Sequence, residues 1–245
     1  MSTETFTNID EKLTDLDSSQ PLPYWLVNVP RDRWPASCPE FLKDLADKNI
    51  AILSTSDSEF TRTSWSEAKE LVRTNNIGKF QRVPSDLRKY LEYMYYIKQK
   101  YGSVMKFVLA ERLHWDQETT EDLKPRGQAF EHEADLKVLY NDWPYGLDPD
   151  IVHLVIWTKF ELDEDPATGN LTEPMWNKID SYVQKTFRSH LPADRVIWFK
   201  NWKSLKSIHA IEHFHVMLYQ PDLEFIKDTT HGDVPLVETI SQREP

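Results

Sequence analysis

The stretch WFKNWKSLKSIHAIEHFHVMLY, residues 198–219, decides how this chain is read. Strand side chains alternate between two faces. Read as a strand over 207–219, the stretch puts His209, Ile211, His213, His215, Met217 and Tyr219 on one face. Glu212, Phe214, Val216 and Leu218 take the other. His213 and His215 then stand ~7 Å apart along the strand. Lys200, Lys203 and Lys206 lie just upstream. Imidazole changes charge close to neutral pH. A row of it beside lysines suits an anion, an attack on phosphorus or a metal, and His213 and His215 are the candidate catalytic pair. The plainer expectation is a partly buried strand whose histidines only hydrogen-bond.

The segments before it extend the pattern. RVIWFKN, 195–201, reads as a strand with Trp198 and Lys200 on one face. TEPMWNKIDSYVQKTFRSHL, 172–191, reads as a helix started by Thr172 and stopped before Pro192. DPDIVHLVIWTKFEL, from 148, reads as a strand with His153, Val155, Trp157 and Lys159 on one face. Strand, helix, strand, strand gives an α+β fold, an antiparallel sheet with packed helices. The candidate ligand-binding residues are His153, Lys159, Trp198, Lys200, Asn201, Trp202, Lys206, Ser207 and His209.

The N-terminal half reads as more helical. Residues 1–20 read as a disordered acidic tail without the basic start and apolar core of a signal peptide. The proline-rich segment Pro21–Pro39 wraps the fold, and 38–48 forms a short helix. The spacing predicts a helix over 64–75, where Ser64 and Glu67 have the positions of a capping box. PSDLRKYLEYMYYIKQKYG, 84–102, is a helix with Ser85 as its cap and Gly102 at its end. Residues 103–113 read as a strand entering Trp115, and 116–150 as a charged excursion with one helical turn. Residues 21–245 are thus expected to form one domain, helix-rich over 38–102, with its sheet core at 103–115 and 148–220.

Composition narrows the function. The chain has 245 residues, 40% hydrophobic and 12% aromatic, including nine tryptophans, so it folds around an ample core and has aromatics to spare for a ligand. Its one cysteine, Cys38, excludes an internal disulfide and suits a reducing compartment. The net charge of −11 repels nucleic acid. The longest apolar runs, such as VHLVIW at 152–157, are too short to cross a membrane. The six glycines are too scattered for a phosphate-binding loop or a dinucleotide fingerprint. Neither GxSxG nor HExxH occurs. EHE at 131–133 reads as a solvated loop, and Asp163-Glu164-Asp165 as a turn. The expectation is a cytoplasmic protein with a small anionic ligand and no cofactor, metal, nucleic acid or membrane partner. Arg82, Arg88 and Arg112 are read as surface ion pairs, with one sharper alternative. In it Arg112 turns inward to the histidine sheet and carries ligand charge.

Two resemblances add to this. PYWLVNVPRDRWPASCPEFL at 23–42, FQRVPSDLRKYLEY at 80–93, YGSVMKFVLAERLHW at 101–115, PYGLDPDIVHLVIWTKFEL at 144–162 and WFKNWKSLKSIHAIEHFHVML at 198–218 together resemble the fungal N-acetylglucosamine-induced protein family. That resemblance implies a fungal cytoplasmic protein linked to amino-sugar response, and it supplies no reaction. A second covers 148–219, where HLVIWTK, a helix, VIWFKN and SIHAIEHFHVML look like a histidine-triad nucleotide hydrolase or transferase. Asn201, Ser207, His213 and His215 match that pattern in kind, while its first histidine is Ile211 here and its glycines are missing.

Three functions follow as expectations. The foremost is a binding or regulatory protein with a pocket for a sugar phosphate or nucleotide, which the missing histidine and glycines favour. The next is a hydrolase or transferase in which His213 attacks phosphorus and His215 supports it. The last is a metal enzyme using His213, His215 and His153.

Overall fold

The computed structural model describes residues 21–115, 123–202 and 211–241. Among them are seven α-helices and a four-stranded antiparallel sheet, the expected α+β class. The helices are α1 (Asp47–Leu53), α2 (Trp65–Arg73), α3 (Pro84–Tyr101), α4 (Val104–Phe107), α5 (Glu173–Val183), α6 (Leu223–Thr229) and α7 (Leu236–Ser241). The strands are β1 (Leu136–Tyr140), β2 (Ile151–Thr158), β3 (Val196–Phe199) and β4 (Glu212–Tyr219). The chain divides into two compact units, the boundaries falling after Thr61, after Gln81 and within α3 after Tyr95.

The unit of residues 21–61 and Arg82–Tyr95 packs Leu42, Ile52, Leu53 and Leu87 together. Tyr24 donates to the Leu42 carbonyl at 2.8 Å. A hydrogen bond with the Cys38 thiol, joined by burial, pushes the Tyr24 hydroxyl up to about 12. Arg88, expected as a surface ion pair, donates to the Trp25 carbonyl at 2.8 Å and lies 5.5 Å over the Phe41 ring. The expected helix at 38–48 is instead a 3-10 turn, Glu40–Leu42, followed by α1. Lys43 is extended and Asp44 has φ +54, and together they break the helical path. Pro84, not Ser85, opens its helix, as suits a residue with no N–H to satisfy.

The other unit holds the sheet, in the order β1-β2-β4-β3. β2 and β4 are central, which accounts for their nearly unbroken apolar runs. Their register sets Trp157 opposite His213, Val155 opposite His215 and His153 opposite Met217. Phe199 of β3 also faces His215. One sheet face carries Leu154, Ile156, Val196, Trp198, Phe214, Val216 and Leu218. α5 covers it with Met175, Ile179 and Val183, and the π-helical turn Gln184–Arg188 adds Phe187. These four positions recur every fourth residue, one stripe of a helix. Phe187 is fully buried, which stabilises by about 1.5–3 kcal/mol. Thr172 caps α5 by accepting from the Met175 N–H.

The opposite face meets α2 through Ala68, which packs with Phe80, Leu147, Phe199 and Met217. The capping box of α2 is formed: Ser64 Oγ accepts from the Glu67 N–H, and the Glu67 carboxylate accepts from the Ser64 N–H.

Two expectations fail here. Residues 103–113 are not a strand but α4 followed by the π-helical turn Val108–Leu113. Ser103 caps that helix from the Lys106 N–H, and Gly102 at φ +76 ends the helix before it. Phe107, Val108, Leu109 and Leu113 are buried, and an apolar run this short fits either period. The charged excursion 116–150 contains the strand β1. It sits at the sheet edge, where only Leu139 of its five residues is buried.

Candidate functional site

β4 turns its imidazoles to one face, as alternation requires. His153 is 4% exposed, His213 5% and His215 5%, so the row is interior. His153 Nε2 lies 3.0 Å from His215 Nδ1, and His215 Nε2 lies 3.0 Å from Asn201 Nδ2. Asn141 Nδ2 lies 3.3 Å from His153 Nδ1 and 3.4 Å from its Nε2, close to both ring nitrogens. Phe199 stacks on His215 with centroids 5.0 Å apart. The His213 ring centroid is 4.5 Å from Trp157 and 5.6 Å from His215. Its Nδ1 lies 2.9 Å from the Ile211 carbonyl, which can only accept, so that nitrogen carries the proton.

The other sequence-predicted residues divide. Lys206, Ser207 and His209 lie outside the described residues. Trp198 and Lys200 turn to the sheet face opposite the imidazoles. Trp198 packs in the α5 core. Lys200 is bonded to Glu164 and lies 3.7 Å from Glu212, a residue that alternates with His213. Of the two lysines expected beside the histidines, Lys200 or Lys206, Lys200 turns away, because alternation along 198–201 sends every second side chain to the other face, and Lys206 lies outside the described residues. Lys159, just after β2, sits 5.2 Å over the Trp115 ring. Arg112 does turn inward, but its guanidinium is held by two carboxylates, Asp142 at 2.8 Å and Asp233 at 2.9 Å. Burial opposes the Arg112 charge, yet those carboxylates outweigh it and raise its pKa. Burial pushes Asp142 up to about 6 despite the neighbouring guanidinium. Its partner Asp233 also accepts the Tyr140 N–H, so this cluster ties the C-terminal segment to β1. Among the described residues no three His, Cys, Asp or Glu side chains converge as metal ligands.

Trp198, Lys200, Asn201 and Trp202 come together elsewhere, in a groove of about 820 Å³ beside β3, the edge strand of the sheet. α2 brings Lys69 to it, and α5 brings Trp176 and Asp180, four residues apart on one helical face. Asp180 accepts from Trp198 Nε1 at 2.9 Å and from Arg188 at 2.8 Å, which fixes both side chains. Trp176 is 47% exposed and Trp202 39%, unusual freedom for such large rings. Trp202 Nε1 donates to Asn75 at 3.2 Å. An adjoining cavity of about 730 Å³ shares Trp202, Asn75, Gly169 and Asn170 with the groove. Asn201 joins the two regions, since it lines the groove and bonds the buried His215.

Lys69, Trp176, Asp180 and Arg188 escaped the sequence reading. Only Trp176 left a signal, since it lies off the apolar stripe of its helix. The others belong to the groove through pairing and topology alone.

The fold and groove define a helix-covered antiparallel sheet with an aromatic and basic cleft at its edge strand. The family described as "Protein of unknown function (DUF3605)" matches residues 64–219, and this chain belongs to it. It is 28% identical over 186 residues to N-acetylglucosamine-induced protein 1 of Candida albicans, covering 69% of this chain and 73% of that protein. It is 26% identical over 196 residues to the uncharacterized protein YPL067C of Saccharomyces cerevisiae, covering 76% of this chain and 98% of the other. The solved structure titled "Crystal Structure of HTC1" superposes with a TM-score of 0.54 at 25% identity, covering 74% of this chain and 97% of that one. The family resemblance read from the sequence blocks therefore holds. No helix among the described residues is long and apolar enough to cross a membrane.

Proposed function

We propose that this chain is a cytoplasmic ligand-binding or regulatory protein of an amino-sugar response, and that the β3 groove takes a sugar phosphate or nucleotide. One observation carries the reading: two exposed tryptophans, Trp176 and Trp202, share an 820 Å³ groove with Lys69 and Arg188. Aromatic faces stack on sugar or base rings, and a few polar groups orient the ligand. The relative named for N-acetylglucosamine induction supports the amino-sugar side. The charge of −11 keeps nucleic acid off the surface as a whole, while a local cation still attracts a phosphate.

The test is a thermal-shift and calorimetry panel of a hexosamine, a hexosamine phosphate, a nucleotide sugar and a nucleoside monophosphate. A ligand at a hundred times its Kd stabilises by about 2.7 kcal/mol. We expect a phosphorylated member to raise Tm, and the Trp176→Ala/Trp202→Ala double variant to lose that shift while keeping the ligand-free Tm. A panel without any shift overturns the reading.

A second reading rests on His213. With its proton on Nδ1, bonded to the Ile211 carbonyl, the basic lone pair lies on Nε2, as attack on phosphorus requires. Turnover of a nucleotide or nucleotide sugar that disappears in His213→Ala would favour this reading over simple binding.

A further inference from the structure

We infer that the β3 groove and the cavity adjoining it form one two-ended site for an amino sugar phosphate with a free amine. Lys69 receives the phosphate, Trp202 carries the sugar ring and Asp165 receives the ammonium. The inference deepens the groove reading above and rests on it for the pocket and the phosphate.

The argument turns on which charges are already matched. Three of the four cations that line the groove hold a carboxylate. Arg188 pairs with Asp180 at 2.8 Å, Arg73 with Glu70 at 2.7 Å, and Lys200 with Glu164. The fourth, Lys69, has no carboxylate partner among the described residues, and its ammonium lies 5.9 Å over the Trp65 ring. The adjoining cavity has the opposite balance. It is lined by two carboxylates, Glu164 and Asp165, and by no cation among the described residues. Glu164 is taken by Lys200. Asp165 has no cationic partner among the described residues. Its Oδ1 accepts the Ala167 N–H at 2.8 Å, which holds the carboxylate in place without neutralising it. The turn around it is closed by the Asp165 N–H on the Asn170 carbonyl at 2.8 Å and the Gly169 N–H on the Asp165 carbonyl at 2.7 Å.

One unmatched positive charge thus lies in the groove and one unmatched negative charge in the cavity beside it. Trp202 lines both, so its ring stands where the two spaces meet. The ring is 39% exposed, and its Nε1 is fixed on Asn75. An indole face takes the apolar face of a sugar, while Asn170, which also lines both spaces, offers an amide to sugar hydroxyls. Charges matched at both ends choose the ligand and its orientation. A phosphate alone satisfies Lys69 and leaves Asp165 unmatched. An N-acetyl group or a hydroxyl at the amine position is neutral and does the same. Only a ring that carries both an ammonium and a phosphate complements the two ends together.

Calorimetry on the full-length protein tests this with three probes near pH 7: glucosamine 6-phosphate, N-acetylglucosamine 6-phosphate and glucose 6-phosphate. The first should bind about tenfold more tightly than the other two, the scale of a hydrogen bond between charged groups. That preference should fade at about pH 9, where an amine of pKa ~8 is neutral. Asp165→Asn keeps an acceptor for the Ala167 N–H and loses the charge. It should bring glucosamine 6-phosphate down to the level of glucose 6-phosphate, leaving the affinity for glucose 6-phosphate and the Tm unchanged. Lys69→Gln should weaken all three probes by similar factors. Equal affinities for the three probes, all lost in Trp202→Ala, would overturn the two-ended site and leave the groove reading standing. A preference that survives Asp165→Asn or about pH 9 would overturn the role of Asp165, and affinities untouched by Lys69→Gln would overturn that of Lys69. If no probe binds at millimolar concentration, the two-ended site and the groove reading fall together.

Discussion

The two faces of the sheet are made by the same strands and differ in what they demand. On the α5 face, β2 and β4 present Leu154, Ile156, Phe214, Val216 and Leu218, all fully buried and apolar. On the other face the alternate positions present His153, Trp157, His213, His215 and Met217. The first face gains stability from any well-packed apolar set. The second is stable only if each imidazole finds a partner, because a buried unpaired polar group is costly. One face therefore holds the fold, and the other holds a network that a merely structural sheet would not need.

The largest effect should come from the apolar face. Phe214 is fully buried and touches Phe130, Tyr182 and Trp198. Phe214→Ala should lower unfolding free energy by about 3–5 kcal/mol. Urea denaturation measures it, and a loss under 1 kcal/mol would mean that the face is not the fold's main core.

The next variant compares the faces directly, using the neighbouring residue. His215→Leu swaps an imidazole for an apolar side chain of similar bulk, so little cavity forms. It removes a partner from both His153 and Asn201. Each lost hydrogen bond is worth about 0.5–1.5 kcal/mol, about 1–3 kcal/mol for the two, so the loss should be real but below that of Phe214→Ala. A neutral or stabilising result would show that the histidine face needs no polar network.

Away from both faces, the Arg112 cluster has a pH signature. Burial raises Asp142 from 3.8 to about 6 in the folded protein. A folded-state pKa above the unfolded one means that the native state binds the proton more readily. The contribution of Asp142 is then greatest below pH 3.8 and declines as pH rises through about 6. Measured against Asp142→Asn, wild-type stability should fall by on the order of 2 kcal/mol between pH 4 and pH 7. A difference that grows with pH would reverse the assignment.

How much of this was legible varied with the kind of signal. β2, β4, α5 and the α2 capping box were readable because alternation, fourfold spacing and Ser64/Glu67 are local patterns. Residues 103–113 were not, because Phe107, Val108 and Leu109 are adjacent apolar residues that satisfy a strand as well as a helix. β1 was hidden because an edge strand buries little and its sequence is framed by charge. The imidazole row was legible as a row. Its separation from Lys200 and Trp198 follows from the same alternation. The groove draws on α2, α5 and β3, and no local pattern links Lys69 with Trp176.

The smallest effect tests whether the covers of the two faces are independent. α2 packs Ala68 on the histidine-bearing face at Phe199 and Met217, and its start depends on the Ser64–Glu67 box. The α5 cover starts from a separate cap, Thr172. Ser64→Ala removes the acceptor for the Glu67 N–H and should reduce stability by about 1 kcal/mol. If the covers open separately, hydrogen exchange should speed up at the α2 amides, Trp65–Arg73, and stay unchanged at Glu173–Val183. Because α2 also supplies Lys69 to the groove, its local opening would loosen that wall while leaving Trp176 in place. Equal acceleration in both helices would mean that the two faces are guarded by one cooperative unit, and the contrast between them would then be one of chemistry rather than of stability.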